Sequence, residues 1–251
     1  MVIGYALAVR IFVDPNDLAA GELVVRGDEH HYLSHVRRAK VGDPVELFDG
    51  RGRRAAATIT KLASDATTLA VEPPALITSK PPYVRALVPL IKGDRMDTCL
   101  EKLVEVGVDA IVVWSATRSV VRLEPERKDA RLAKYHAAVQ AAARQSGRVQ
   151  IPSVRIVDDV RAAIAALHDH GVIGAATSAR IVLDPASDAP ITIGDAHDVT
   201  IASGPEGGLT ADELAAFVGA GFVSVGLGPR ILRAETAPIV AVSVIRALTR
   251  S

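Results

Sequence analysis

The stretch IASGPEGGLTADELAAF, residues 201 to 217, places three glycines and a proline between an apolar run and the start of a helix. Thr210 followed by Glu213 forms a capping box, which predicts a helix that begins near Ala211 and leaves Glu206 in the loop before it. The glycines permit positive φ and allow a ligand to approach the backbone closely. Because ligands in α/β proteins bind where strands end in such loops, the stretch predicts an α/β fold with a binding loop at this point.

A second glycine loop, GLGPRILRAETA at residues 226 to 237, follows closely and leads into the last helix. Thr236 is predicted to cap that helix, with Pro238 in its first turn, where the missing N–H has no cost. The charged residues of the loop are Arg230, Arg233 and Glu235. Arg233 and Glu235 fit an ordinary surface pair, but two charged glycine loops in one domain favour a ligand site.

Neither loop fits a phosphate-binding fingerprint. A Gly-x-Gly-x-x-Gly pattern that starts at Gly226 and Gly228 would need its third glycine at Ile231, and the chain contains no Gly-Lys-Ser or Gly-Lys-Thr. The ligand is therefore expected to be neither a dinucleotide nor a nucleoside triphosphate held by its phosphates.

Apolar strand-like segments alternate with helical ones from residue 83 to the second loop. The helical segments include RMDTCLEKLVEVGV at 95–108 and a long amphipathic helix from about Pro125 to Arg148. The strand-like segments are YVRALVPLI (83–91), AIVVWSA (110–116), VIGAATS (172–178), DVTIASG (198–204) and FVSVGLG (222–228). This alternation predicts one α/β domain, residues 83–251, with a largely parallel sheet.

Residues 1–73 have a different pattern, in which short strand-like runs separated by Gly, Asp and Asn turns predict a small β-rich domain. One helix interrupts the runs in GDEHHYLSHVRRAKVGD at 27–43, with Asp28 as its N-cap and Gly42 as its stop. The basic residues predicted in its last turn are Arg37, Arg38 and Lys40. The proline-rich segment EPPALITSKPP ends this domain, so residues 74–82 are predicted to be a linker.

The bulk composition limits the classes of protein. Of 251 residues, 49% are apolar, and Lys plus Arg equal Asp plus Glu at 29 each, so the net charge indicates no particular partner. Cys99 is the only cysteine, which excludes an internal disulfide framework and a four-thiolate metal site. Without a signal-peptide pattern or an apolar span of roughly 18 residues, neither export nor membrane insertion is expected, and a cytoplasmic protein is predicted.

GPEGGLTADE at 204–213 together with LGPRILRAETA at 227–237 resembles the signature of the RsmE family. Members of this SPOUT-class family are S-adenosylmethionine-dependent methyltransferases that act on N3 of a uridine in 16S ribosomal RNA. The resemblance continues upstream, in the family's order, in HHYLSHVRR (30–38), KGDRMDTCLEKLVEVGV (92–108), TRSV (117–120) and QSGRVQIP (145–152). It therefore covers nearly the whole chain.

The resemblance implies a fold and an assembly. The fold is a PUA-like β-barrel that binds RNA, followed by a SPOUT α/β methyltransferase domain with a trefoil knot. The knot rests on the resemblance alone, because chains in general avoid threading through loops. The resemblance further implies a homodimer, a place in rRNA processing and ribosome biogenesis, and a substrate within the small ribosomal (30S) subunit.

The resemblance also implies how the loops hold S-adenosylmethionine. In similar proteins the two glycine loops and the end of a preceding strand, here around residues 176–179, bind the cofactor in a bent conformation. The cofactor carries a sulfonium and no phosphate, and its adenine is expected to lie between apolar backbone segments. These features agree with loops that contain glycine and leucine and no P-loop lysine. The matching positions are Gly204, Glu206, Gly207, Leu227, Gly228, Ile231, Leu232 and Ala237.

Methylation of uridine N3 requires the loss of its imide proton, after which negative charge spreads onto O2 and O4. A fixed guanidinium stabilises such charge, and Arg233 is the first candidate, with Arg230 the second. A carboxylate whose pKa is raised by burial accepts a proton. Glu235 and Glu206 are both candidates for this base, and the sequence leaves their order open.

Basic residues of the first domain are candidates for RNA contact. His31 and His35 have the spacing of zinc ligands on a helix, but no third ligand is evident and no metal is expected. The two other interpretations of this helix are a polar surface and a phosphate contact through His30, Arg37 and Arg38. A second cluster, after the turn FDG, is interpreted as a solvated hairpin or a further RNA contact and consists of Arg51, Arg53 and Arg54.

One position departs from the family pattern, which has an acidic residue before QSGR where this chain has Arg144. A carboxylate function at that position is therefore in doubt. Two other functions stay open at this point. One is a SPOUT methyltransferase that acts on another rRNA position or on tRNA, and the other is a non-catalytic RNA-binding protein whose loops no longer bind a cofactor.

Overall fold

The computed structural model describes residues 9–167 and 177–249. The described residues divide into two compact units, those of 1–79 with 143–151 and those of 80–142 with 152–251. Each unit has its own sheet. No helix in the described part of the chain is long and apolar enough to cross a membrane.

Within residues 9–79 and 143–151, the first unit contains six strands: β1 (Val9–Phe12), β2 (Gly21–Val25), β3 (Pro44–Phe48), β4 (Arg53–Leu62), β5 (Thr67–Val71) and β6 (Ala75–Leu76). The strand order is β1-β3-β4-β5-β2, with β6 beside β4. Among these six described strands, only the β1–β3 pair is parallel. Along β4, Ala55, Ala57 and Ile59 are buried and alternate with exposed residues, so one face of the sheet packs on a core.

The helix of the first unit is shorter than predicted. An α-helical turn, α1 (Gly27–His31), continues as a π-helix over Tyr32–Val36. Arg26 is the residue before α1 and makes no side-chain cap bond, so the prediction of Asp28 as N-cap is wrong. The helix ends at Val36 because Arg38 adopts a φ of 51°, so the predicted last turn with Arg37, Arg38 and Lys40 is wrong as well.

The second unit alternates strands with helices. Its strands are β7 (Tyr83–Pro89), β8 (Ala110–Trp114), β9 (Ser153–Val157), β10 (Ser178–Leu183), β11 (Asp198–Ala202) and β12 (Val223–Val225). Its helices are α2 (Asp94–Val106), α3 (Lys128–Ser146, after a 3₁₀ turn at Pro125–Arg127), α4 (Val160–Ala165), α5 (Ala211–Gly219) and α6 (Thr236–Leu248). The last residues of α3, from 143 onward, belong to the first unit. The predicted strand at 172–178 lies outside the described residues except for its last two positions.

The sheet of the second unit has the order β12-β10-β11-β7-β8-β9, and every neighbouring pair is parallel. All residues of β8 and β11 are buried, as expected when a parallel sheet is covered by its crossover helices. The prediction of an α/β domain with a largely parallel sheet is confirmed. The trefoil knot stays a prediction.

The two helices that follow the glycine loops begin differently. The Thr210 side chain accepts a bond from the Glu213 N–H, and the Glu213 carboxylate accepts one from Thr210, so the predicted capping box is confirmed. The predicted cap of the last helix is wrong, because Thr236 is the first helical residue and follows Glu235. The Arg233 carbonyl instead accepts bonds from the N–H groups of Thr236 and Ala237, at 2.9 and 3.0 Å.

Candidate functional site

A cavity of about 470 Å³ opens at the carboxyl edge of the parallel sheet. Its wall is formed by residues 183–185 at the end of β10, by residues from 203 to 214 after β11, and by residues from 225 to 237 after β12. Its volume lies within the range of small-molecule sites. Its position is the one where α/β sheets bind ligands, because all parallel strands end at the same edge.

Seven of the eight residues predicted to bind a cofactor line this cavity: Gly204, Glu206, Leu227, Gly228, Ile231, Leu232 and Ala237. The eighth, Gly207, packs against Arg118. The structure thus brings the two glycine loops together around one space, while the contact of each residue with a cofactor stays a prediction. The strand end predicted to join them, at 176–179, is wrong for its described positions, because Ser178 and Ala179 begin β10 and its end at 183–185 lines the cavity instead. Ala176 lies outside the described residues.

Three glycines of the loops lie where other atoms of the chain pack closely against their backbone. A Cβ on Gly226 would lie 2.0 Å from the carbonyl oxygen of Ser187, a distance that no side chain can adopt. A Cβ on Gly204 would lie 2.9 Å from Cγ of Leu209, and a Cβ on Gly207 would lie 2.9 Å from Cβ of Arg118. At these three positions a side chain would therefore require neighbouring atoms to move.

The TRSV segment after β8 is fastened to the first glycine loop. The buried Glu213 carboxylate accepts hydrogen bonds from the N–H groups of Thr117, at 2.7 Å, and Thr210, at 2.9 Å. Burial by itself would raise the pKa of Glu213, but these backbone hydrogen bonds outweigh it and lower the pKa of the carboxyl. Arg118 Nη1 adds a bond to the Gly207 carbonyl at 3.2 Å. Glu213 is thus more than a helix cap, because its ionised carboxylate joins two loops.

The predicted catalytic residues occupy different parts of the site. Arg230 lines the cavity and is exposed, and Arg233 also lines it, with 77% of its side chain exposed. Glu206 lines the cavity as well. Glu235 is buried, is not part of the lining, and has its Oε1 3.9 Å from Nη1 of Arg233.

Arg95 is a cavity residue that sequence reasoning missed. Its Nη2 lies 2.9 Å from Oε1 of Glu206, and its Nη1 lies 3.8 Å from Oε2 of Glu235. Ser203 was also missed; it lines the cavity, and its buried hydroxyl has no hydrogen-bond partner among residues 9–167 and 177–249. Arg95 lies in the KGDR motif, and that motif after a predicted strand was the one signal that could have indicated it.

The residues predicted to bind RNA fall into two groups. Arg37, Arg38 and Arg51 are exposed in the first unit. His30 is buried, with Nδ1 2.8 Å from Thr67 Oγ1 and Nε2 3.3 Å from the Ser64 carbonyl. The prediction that His30 faces a phosphate is therefore wrong, because both ring nitrogens are used inside the fold.

Arg53 and Arg54 are also engaged within the first unit. Arg53 donates to Asp49 Oδ2 at 2.8 Å and to the carbonyls of Pro15 and Leu18, so its guanidinium holds a turn together. Arg54 has Nη1 3.8 Å from Oε2 of Glu46, and 43% of its side chain is exposed. These contacts make Arg53 a poor candidate for phosphate binding, whereas Arg54 stays accessible.

Arg144, the departure from the family pattern, is held inside the first unit. Its guanidinium donates to the Glu29 carboxylate and lies 5.1 Å from the centre of the Tyr32 ring. Burial raises the pKa of Glu29, an effect that the charge of Arg144 opposes. At this position the chain therefore uses a cation to compensate a half-buried carboxylate.

No group of three or more His, Cys, Asp or Glu side chains that could hold a metal is found in the described ranges. The rings of His31 and His35 are stacked, with their centres 4.7 Å apart.

Burial, followed by the nearby charge of Glu235, raises the pKa of Cys99 to about 12, so this thiol is uncharged near neutral pH.

Comparisons with known proteins agree with both units. Residues 78–246 match the family model of an RNA methyltransferase domain, and residues 25–71 match that of an RNA methyltransferase PUA domain. The ribosomal RNA small subunit methyltransferase E of Mycobacterium bovis is 33% identical over 250 residues, which cover 97% of this chain and 93% of the relative.

Two solved structures are similar to nearly the whole of this chain. The ribosomal RNA small subunit methyltransferase E of Neisseria gonorrhoeae, bound to S-adenosylmethionine, has a TM-score of 0.81 and 28% identity, and the match covers 96% of this chain and 98% of that one. A methyltransferase of Legionella pneumophila with the same bound cofactor has a TM-score of 0.83 and 26% identity, with the same coverage of both chains.

We expect Gly226→Ala to destabilise the protein by about 1–3 kcal/mol, because the new methyl group forces the second loop away from the Ser187 carbonyl. The matched control is Gly219→Ala at the end of α5, where an added Cβ meets nothing within 4 Å. Urea denaturation measures both variants. Equal free energies of unfolding for Gly226→Ala and Gly219→Ala would show that the close approach at Gly226 is not required.

Proposed function

The chain belongs to the ribosomal RNA small subunit methyltransferase E family of RNA methyltransferases, and from that premise we propose that it methylates N3 of a specific uridine in 16S ribosomal RNA. The methyl donor is S-adenosylmethionine. The observation that carries the proposal is the cavity between the two glycine loops, in a fold whose relative from Neisseria gonorrhoeae binds this cofactor.

The residues of the cavity fit S-adenosylmethionine. Leucine side chains supply apolar wall for an adenine, namely Leu183, Leu209, Leu227 and Leu232. The Ser203 hydroxyl, which is buried at the wall and lacks a partner within the described ranges, is available to a polar group of the cofactor. The bound cofactor supplies a methyl group made electrophilic by its sulfonium.

Charged side chains at the cavity act on the uridine in this proposal. Arg233, with Arg230 beside it in the loop, supplies a guanidinium for the negative charge that develops on O2 and O4. Glu206 lines the cavity and Glu235 does not, so Glu206 is the better-placed acceptor for the N3 proton. Glu235 supports Arg233 from the buried side, at 3.9 Å.

In this proposal the first unit binds the RNA, and the enzyme works as a dimer. Arg37, Arg38 and Arg51 are exposed cations of the two predicted clusters, and their guanidinium groups make no hydrogen bond or ion pair within the described structure; Arg54 is half exposed. The enzyme is a cytoplasmic homodimer that acts on the 30S subunit. Exposed Val244 and Leu248 on α6, at 37% and 53%, provide apolar surface for such a dimer.

The proposed function is tested by nucleoside analysis of 16S rRNA. A strain from which the gene is deleted is expected to lack one N3-methyluridine, and the purified protein should restore it to 30S subunits of that strain when S-adenosylmethionine is present. An unchanged content of N3-methyluridine with loss of another methylated nucleoside would assign the enzyme to a different position. Binding of the rRNA without cofactor binding would identify a non-catalytic RNA-binding protein.

Arg233→Ala is expected to slow methyl transfer about a hundred- to a thousandfold, because one preorganised cation at developing charge contributes roughly 3–4 kcal/mol once RNA covers the site. Affinity for S-adenosylmethionine should change far less, because the charge appears only as N3 loses its proton. Single-turnover methylation of 30S subunits and calorimetry measure the two quantities. Near-normal turnover would remove Arg233 from the mechanism, and an equal loss of cofactor affinity would make it a support of the loop.

Replacing Arg37, Arg38 and Arg51 together by alanine is expected to weaken RNA binding most at low salt and to reduce the salt dependence by about one unit of slope for each lost phosphate contact. The control variant, Arg127→Ala with Arg161→Ala, removes exposed charge from the second unit. Filter binding over a range of salt concentrations measures the slopes. Identical slopes for wild type and the triple variant would exclude these residues from the RNA interface.

A further inference from the structure

Arg95 brings a third segment of the chain to the cavity. It is the second residue of α2, just beyond the carboxyl end of β7, and β7 is paired directly with β11, from which the first glycine loop departs. Its guanidinium therefore reaches the edge of the sheet where both glycine loops lie. None of the functions assigned above uses this residue.

The guanidinium of Arg95 contacts one carboxylate from each glycine loop. The Glu206 contact, at 2.9 Å, has the length of a charge-assisted hydrogen bond, and the Glu235 contact, at 3.8 Å, is an ion pair without a hydrogen bond. Glu235 continues the series to Arg233 at 3.9 Å. Four side chains of alternating charge, Glu206, Arg95, Glu235 and Arg233, thus form a row, here called the charge row, from the first loop to the second.

Burial makes the inner members of the charge row depend on one another. The Glu235 side chain is only 11% exposed, and its Oε2 has no hydrogen-bond partner among the described residues. A buried carboxylate oxygen without hydrogen bonds is unfavourable unless a cation lies close, and the nearest cation to Oε2 is Arg95. Without Arg95 this oxygen would lose its ion-pair partner, which would destabilise the present position of the Glu235 carboxylate and with it the ion pair to Arg233.

We propose that Arg95 is a positioning residue for methyl transfer: by holding Glu206 and Glu235 at once, it fixes the cofactor loop relative to the loop that carries Arg233. This proposal rests on the proposed function. A planar guanidinium suits the role because its forked N–H groups can serve two acceptors, whereas an ammonium acts as a single point charge. Arg95 acts through its carboxylate partners and not on the uridine.

The test uses the full chain in two double-mutant cycles. In the first, calorimetry measures the Kd for S-adenosylmethionine of Arg95→Gln, Glu206→Gln and the double variant. In the second, single-turnover methylation at saturating cofactor compares Arg95→Gln, Glu235→Gln and their double variant. We expect Arg95→Gln to lower cofactor affinity and methylation rate about tenfold each, and each second substitution to change its readout less than about twofold further, as coupled residues of one network do.

Arg95→Lys tests whether a guanidinium that contacts two carboxylates is needed or whether a single positive charge is enough. It also replaces Arg95→Gln as the test if that variant fails to fold. It should keep cofactor affinity through Glu206 but leave methylation slowed about tenfold, because one ammonium cannot hold both carboxylates. The matched control is Lys102→Gln, since Lys102 also lies on α2 and contacts two carboxylates, Glu101 at 2.9 Å and Glu105 at 2.8 Å, both on its own helix. It should leave both readouts unchanged.

Additive losses in both cycles, or wild-type values for Arg95→Gln, would overturn the role of Arg95. Full recovery of methylation by Arg95→Lys would overturn it too, since a point charge would then suffice. A wild-type protein that binds S-adenosylmethionine but methylates no rRNA would instead reject the proposed function. In that case the calorimetric cycle, which needs no RNA, still tests by itself whether Arg95 and Glu206 act together in cofactor binding.

Discussion

The parallel pairing of β11 between β7 and β10 is the constraint on which the candidate site depends. Strands that point the same way release their following loops at one edge, so segments distant in sequence meet there. Arg95 after β7, the first glycine loop after β11 and the second after β12 converge on one cavity for this reason. The full burial of β8 and β11 ties the arrangement to the hydrophobic core, because a strand cannot leave the sheet without exposing its apolar side chains.

Convergence at one edge also explains the composition of the loops. Backbones that pass as close as Gly226 and Ser187 leave no room for a Cβ, and the carboxylates that the loops carry become half buried at Glu206 and buried at Glu235. Charges in such a place are stable only when cations or hydrogen-bond donors compensate them. The charge row satisfies this requirement with two arginines from different segments, and Glu213 satisfies it with backbone N–H groups. Ion pairs and hydrogen bonds thus connect loops that are distant from one another in the sequence.

In the first unit the same residue type serves two purposes. Arg10 donates to the carbonyls of Ala143, Arg144 and Arg148 and to the Glu46 carboxylate, so it closes the end of α3 where the QSGR motif begins. Arg53 likewise holds a turn, whereas Arg37, Arg38 and Arg51 extend into solvent. Only the second group is available to phosphates, and a count of basic residues along the sequence cannot separate the two.

The sequence by itself determined the elements whose causes are local. Thr210 and Glu213 specify the start of α5, the alternation of apolar segments specifies a parallel α/β sheet, and the two glycine loops specify most of the cavity wall. Local patterns failed where a residue's partner is distant. His30 is buried, with one ring nitrogen donating to the Ser64 carbonyl and the other hydrogen-bonded to the Thr67 hydroxyl. Arg95 belongs to the site because β7 lies beside β11. Tertiary structure decides such cases, since hydrogen bonds and ion pairs depend on distances in space that sequence separation does not fix.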